Sequence, residues 1–136
     1  QPDPLSCFTG VTKAGERFAA SMCNPPFHGS AKEAAEGSIR KRRNLELRNQ
    51  EPLNFGGSAS ELWCPGGEVG FIERMIDESA ARRNLCLWFT TLVSKSENLP
   101  RLKKSLKRAD PAIVKTIEMA QGQKKSRILA WTFYRP

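Results

Sequence analysis

The sequence predicts an open α/β sheet, mostly parallel, with an antiparallel last strand. Three observations carry that reading. The run 85–93 (LCLWFTTLV) is almost continuously apolar and β-prone, which suits a strand buried on both faces, as in a parallel sheet. Stretches of helical periodicity stand before and after it, so helix and strand alternate. The last two strand-like stretches, 113–119 (IVKTIEM) and 127–134 (RILAWTFY), are joined by a loop too short for a crossover helix, so they are antiparallel neighbours.

Taken in order, residues 17–23 (RFAASMC) form a short run of small and apolar residues that stops at Asn24-Pro25-Pro26. This reads as a buried central strand ending in a rigid loop. From about 29 to 65 periodicity is poor and polar residues and glycines are frequent, so a helix or two at most is expected within a long basic insert. Order returns at Gly66-Gly67-Glu68, after which Val69, Ile72, Met75, Ile76 and Ala80 recur on one helical face. Glu68 there suits the start of a helix, where a carboxylate complements the dipole. Beyond the strand at 85–93, Asn98 opens a second helix with Leu99, Leu102 and Leu106 on one face and Arg101, Lys103, Lys104, Lys107 and Arg108 around the other. Leu129, Trp131 and Phe133 share one face of the final strand, so Trp131, like Trp88, reads as core; Trp63 is the freer aromatic.

At 136 residues the chain is one domain, with 39% hydrophobic residues and no low-complexity tract, so it can bury a core. No apolar run approaches the roughly 18 residues that cross a bilayer, and the opening Gln1-Pro2-Asp3-Pro4 lacks the features of an export signal. Cytoplasmic location is the expectation. Cys7, Cys23, Cys64 and Cys86 lie far apart and His28 is the only histidine, so no metal site is expected and the thiols read as free and reduced. A complete doubly wound domain takes about 200 residues. The pattern here is that of its later half, and no Gly-rich turn follows an early strand to hold a nucleotide-type cofactor.

Asn24-Pro25-Pro26-Phe27 follows the first strand directly, at the carboxyl end where open α/β sheets bind their ligands. The exocyclic amine of adenine is a weak nucleophile because its lone pair is delocalised into the ring. Two acceptors are needed to hold its N–H groups and aim that lone pair. The Asn24 side-chain oxygen can take one N–H and the Pro25 carbonyl the other, while Phe27 stacks on the base. Preorganised dipoles then stabilise the charge that develops on nitrogen, and no strong base is required. The bland alternative is a stiff turn that merely ends a strand.

In its ordered segments the sequence resembles the bacterial large-subunit ribosomal RNA adenine-N6 methyltransferases, relatives of the human methyltransferase-like enzyme of U6 small nuclear RNA. These segments are CNPPFHGSAKEA at 23–34, GSIRKRRNL at 37–45, LNFGG at 53–57, ELWCPGGEVGFI at 61–72, WFTTLVSKSENLP at 88–100 and EMAQGQKKSRILAWTF at 118–133. The resemblance implies the later half of a Rossmann-like class I methyltransferase domain, occupying 1–136, that uses S-adenosylmethionine to methylate N6 of an adenosine in 23S ribosomal RNA. It implies Asn24, Pro25, Pro26 and Phe27 as the catalytic motif, with Asn24 also beside the methionine end of the cofactor. It implies too that the Gly-rich cofactor motif and the acidic ribose-binding residue belong to an amino-terminal half that this chain lacks.

A net charge of +8 suits a polyanionic partner. Arg40, Lys41, Arg42 and Arg43 in the insert, and Lys124, Lys125 and Arg127 in the loop before the last strand, are the expected RNA-binding groups; together they could bracket a flipped adenine. Alternatives in other classes are a protein glutamine or DNA amine methyltransferase, which shares the Asn-Pro-Pro-aromatic turn, and a non-catalytic RNA-binding module. An exposed sheet edge left by a missing half would also favour self-association.

Overall fold

A computed structural model describes residues 3, 5–26, 36, 39, 40 and 63–136. In chain order it contains β1 (Phe18–Cys23), α1 (Gly67–Ala81), β2 (Cys86–Val93), a short 3-10 turn (Ser96–Asn98), α2 (Leu99–Ala109), β3 (Ile113–Gln121) and β4 (Lys124–Thr132). The strands form one sheet in the order β1-β2-β4-β3. β1 and β2 are parallel, and β4 runs antiparallel to both β2 and β3. Three strands therefore point one way and the last is inserted against them.

Register decides which side chains meet. Phe89 on β2 lies opposite Trp131 on β4, and Thr91 lies opposite Leu129. These residues are buried, and Phe89, Trp131 and Leu129 pack with Ile72, Met75 and Ile76 of α1 and with Leu102 and Leu106 of α2 in a single core cluster. Both helices thus cover the same face of the sheet, at the apolar spacing that the sequence shows. The Trp131 indole N–H is satisfied within that core by donating to Ser79 Oγ at 2.9 Å, and Ser79 donates in turn to the Ile76 carbonyl at 2.7 Å. On the outer side, α1 and α2 are joined by Arg101, which donates to both Glu73 carboxylate oxygens at 2.8 and 3.0 Å. The hydrogen bond from Arg101 holds the Glu73 carboxyl below its ordinary range.

The segment before β1 is tied to α1 by a different device. Glu78 accepts the backbone N–H groups of Cys7, Phe8 and Thr9 at 2.7, 2.9 and 3.2 Å, and Phe8 enters the core edge-on to Phe89. Successive N–H groups converging on one carboxylate make a small anion-binding nest.

Three expectations need correction. β1 is an edge strand here and largely exposed, with Met22 at 87%, because among the described residues it pairs only with β2; Ser21 and Cys23 on one face are half-buried, and Cys23 packs against the core. β2 is buried at Phe89, Thr91 and Val93 on its helix-facing side, while Trp88 and Leu92 on the other face are half-buried and Leu87 near its start is exposed. The stretch 121–126 is not a loop: β3 and β4 extend to a two-residue turn at Gly122-Gln123, with Gln121 paired to Lys124. The positive φ of 63° at Gly122 suits the tight turns whose twist matches a hairpin. Asn98 stands at the N-cap position of α2, as expected, and its side chain makes no cap hydrogen bond. Most of the insert expected at 29–65 lies outside the described residues, as do Phe27, His28, Lys41, Arg42 and Arg43.

Because Leu102 is fully buried between α2 and the sheet, Leu102→Ala is expected to lower unfolding stability by about 2–5 kcal/mol. Trp131→Phe, which loses one buried hydrogen bond and some volume, is expected to cost about 1–2 kcal/mol. Urea titrations of the two variants against the parent check both values and their order.

Candidate active site

Parallel strands bring their carboxyl ends to one edge of a sheet, and three segments of this chain converge there. β1 ends at Cys23, which pairs with Thr91 of β2; Asn24 to Pro26 then leave one strand where Leu92 to Ser94 continue the other. β3 runs in the same direction as β2, so the β3–β4 turn, with Lys124 and Lys125, lies at this edge as well. The amino end of α1 closes the group.

In the turn after β1, Pro25 and Pro26 are buried while Asn24 is exposed. The rigid rings anchor the segment and leave Asn24 open to solvent. Thr90 Oγ1 donates to the Ser21 carbonyl at 2.7 Å and steadies β1 two residues before its end. Burial pushes the Cys23 thiol up, with a hydrogen bond to Thr91 acting the other way.

The segment beyond β2 is held by two buried ions. Glu68, at the start of α1 and 4% exposed, accepts from the Ser94 N–H at 2.5 Å, from Ser94 Oγ at 2.8 Å, from the Lys95 N–H at 3.4 Å and from Asn98 Nδ2 at 2.7 Å. The carboxylate therefore does more than complement its own helix. Arg127, 6% exposed, sends Nη1 toward the carbonyls of Val93 and Ser94 at 3.5 and 3.3 Å, and its Nε lies 3.9 Å from Glu118 Oε2. This corrects the expectation for Arg127: it stands within β4, with its guanidinium turned onto backbone carbonyls. Lys124 and Lys125 also belong to β4, and both are exposed, as is Arg40. The clamp escaped sequence reading because its members are 26 to 34 residues apart. The only signal was an acidic residue directly after Gly66-Gly67.

Trp131 is core, as expected; Trp88 is half-buried on the other face, with Lys115 Nζ 5.6 Å from its ring centre, and Trp63 is half-buried. Among the described residues all four cysteines are free, no three His, Cys, Asp or Glu side chains come together as a metal-binding group, and no helix is long and apolar enough to cross a membrane.

Burial, and then the Glu78 carboxylate, push the Cys7 thiol from 9.0 up to about 12. Burial raises Cys86 as well. The thiolate is the reactive form, so at pH 8 these thiols and Cys23 are expected to react with iodoacetamide far more slowly in the folded chain than in urea. A raised folded pKa means that the folded chain keeps protons that the unfolded chain releases near pH 9. The associated stability is complete below that pH and is lost as pH rises toward 12. Mass-resolved alkylation and unfolding curves between pH 7 and 10 check both statements.

A family model described as RNA methyltransferase matches residues 1–135. The chain is 56% identical over 133 residues to ribosomal RNA large subunit methyltransferase F from Salmonella newport and from Salmonella typhimurium, covering 98% of itself and 43% of those proteins. It thus spans less than half the length of the relatives it matches. Among solved structures, the human METTL16 catalytic domain in complex with a MAT2A 3′UTR hairpin is 31% identical, with a TM-score of 0.66 over 85% of this chain and 40% of that one. The amino-terminal domain of human METTL16 in complex with SAH superposes with a TM-score of 0.58 over 94% of this chain and 36% of that one; at 23% identity it bears on the fold alone. The sheet order, the two helices on one face and these matches agree: the chain belongs to the RNA methyltransferase family and has the Rossmann-like fold of its methyltransferase domains.

Proposed function

We propose that this chain carries the catalytic turn of an enzyme that methylates N6 of an adenosine in large-subunit ribosomal RNA, acting in the cytoplasm. The observation that carries the reading is the turn itself: an exposed Asn24 set on buried Pro25 and Pro26 at the carboxyl end of β1, beside the clamped segment that follows β2. The relatives named as ribosomal RNA methyltransferases support the substrate class.

In this reading the Asn24 side-chain oxygen accepts one N6–H of the flipped adenine and the Pro25 carbonyl accepts the other. The nitrogen lone pair is thereby turned out of conjugation, and Phe27 stacks on the ring. The proton lost from N6 passes to water, since these acceptors stabilise charge on nitrogen without removing it. S-adenosylmethionine supplies the electrophilic methyl group. Of the described residues, Asn24 fits contact with its methionine end, because it is exposed at the carboxyl edge; among the described residues no Gly-rich turn follows β1 for the nucleoside end.

Asn24→Ala is expected to lower methyl transfer by at least about 100-fold, a loss of the size seen when one preorganised group is removed, while RNA affinity changes less than about twofold. Radiolabelled methyl transfer to a 23S transcript, with filter binding of the same RNA, checks this in the full-length protein. Equal loss of both, or loss of neither, overturns the catalytic role.

Lys124 and Lys125, exposed at the hairpin tip, are proposed to contact RNA phosphates, as are Arg40, Lys41, Arg42 and Arg43. Replacing Lys124 and Lys125 by alanine is expected to flatten the dependence of log affinity on log salt by about 2, one for each phosphate that is no longer neutralised. An unchanged slope removes these lysines from the interface.

A further inference from the structure

Glu68 and Arg127 are the two buried ions of this edge, and the apolar core does not require either. Taking an ion out of water costs several kcal/mol unless its hydrogen-bonding capacity is met: both Glu68 oxygens have partners, whereas Arg127 Nε is buried without a hydrogen bond among the described residues, 3.9 Å from Glu118 Oε2. Among the described residues, the hydrogen bonds Glu68 accepts come from Ser94, Lys95 and Asn98, and Arg127 Nη1 reaches the carbonyls of Val93 and Ser94. One ion takes the donors of this segment and the other takes its acceptors. Ser94 is gripped from both sides.

What is held so firmly lies beside Asn24. One to three residues beyond the pair Cys23–Thr91 come Asn24 to Pro26 on one strand and Leu92 to Ser94 on the other, and Lys95 follows at once. The Lys95 backbone N–H is bound by Glu68, yet its side chain is exposed and makes no hydrogen bond or ion pair among the described residues. Lys124 and Lys125 are exposed at the same edge. An exposed ammonium on a backbone bonded to Glu68, at the edge that also carries two exposed lysines, is suited to a phosphate.

We propose that Lys95 binds a phosphate of the RNA next to the target nucleotide, and that Glu68 and Arg127 are positioning residues that hold it there. This rests on the RNA methyltransferase reading above.

The test is a double-mutant cycle in the full-length protein, with an in vitro 23S transcript as probe and no cofactor in the binding arm. Lys95→Ala is expected to weaken RNA binding about 3- to 10-fold, to lower the salt slope by about 1, and to raise KM for RNA with kcat unchanged; Lys95→Arg is expected to restore the slope. Glu68→Gln puts an amide N–H₂ against donors of the segment. It is expected to lower the slope in the same way while the chain stays folded by circular dichroism, and adding Lys95→Ala to it is expected to have little further effect. Additive losses overturn the positioning role of Glu68. An unchanged slope in Lys95→Ala overturns the phosphate contact, and this arm stands even if Glu68→Gln does not fold. Methyl transfer by the parent is followed in parallel: its absence alongside a normal Lys95 effect overturns the enzymatic reading and leaves the phosphate contact standing. Methylation with an unchanged Lys95→Ala slope does the reverse.

Discussion

Phe89, at the centre of β2, is the contact on which the remaining parts depend. Its ring is stacked 6.0 Å from Trp131 of β4, lies edge-on 5.6 Å from Phe8 of the amino-terminal segment, and lies edge-on 6.0 Å from Phe133 beyond β4. Through Trp131 and its bond to Ser79, the same cluster sets the position of α1. Interiors are packed like crystals, so a helix that meets the sheet through Ile72, Met75 and Ile76 cannot slide without opening a void. The amino end of α1 is therefore carried to a defined place, at the end of β2.

That placement explains the polar edge. Strands that stop leave peptide groups without ladder partners, and water satisfies them only where it has access. Here Glu68 and Arg127 supply partners from two other elements, one for N–H groups and one for carbonyls. The neighbouring turn solves its own problem with two buried prolines, which have no N–H to satisfy. The result is an edge whose backbone groups have partners within the fold and at which, among the described residues, Asn24, Lys95, Lys124 and Lys125 are exposed.

Much of the fold was legible because it follows from local periodicity. Ile72, Met75 and Ile76, and likewise Leu102 and Leu106, recur at helical spacing because one face of each helix must be buried, and the antiparallel last strand followed from the brevity of its connection. The Asn24-Pro25-Pro26 turn was legible too, since a polar residue and two prolines end a strand by their own backbone chemistry. The exposure of β1 was not legible. Its small apolar residues read as interior, yet exposure depends on which elements cover a strand, and that is a matter of topology.

The sequence by itself therefore determined the two helices that cover the sheet, the order of strands along the chain, and the place of the Asn24-Pro25-Pro26 segment at the end of the first strand. Tertiary structure alone decided the fate of the charges. Arg127 and Lys125 stand two residues apart in one basic run, but pairing of Arg127 with Val93 turns the first inward, while Lys125 stays in solvent near the hairpin tip. Glu68 reads as an ordinary helix-start acid until folding brings Ser94 and Asn98 to it from 26 and 30 residues away. The physical reason is common to both: the cost of burying an ion is set by the partners it meets, and those partners are assembled only when distant segments pack.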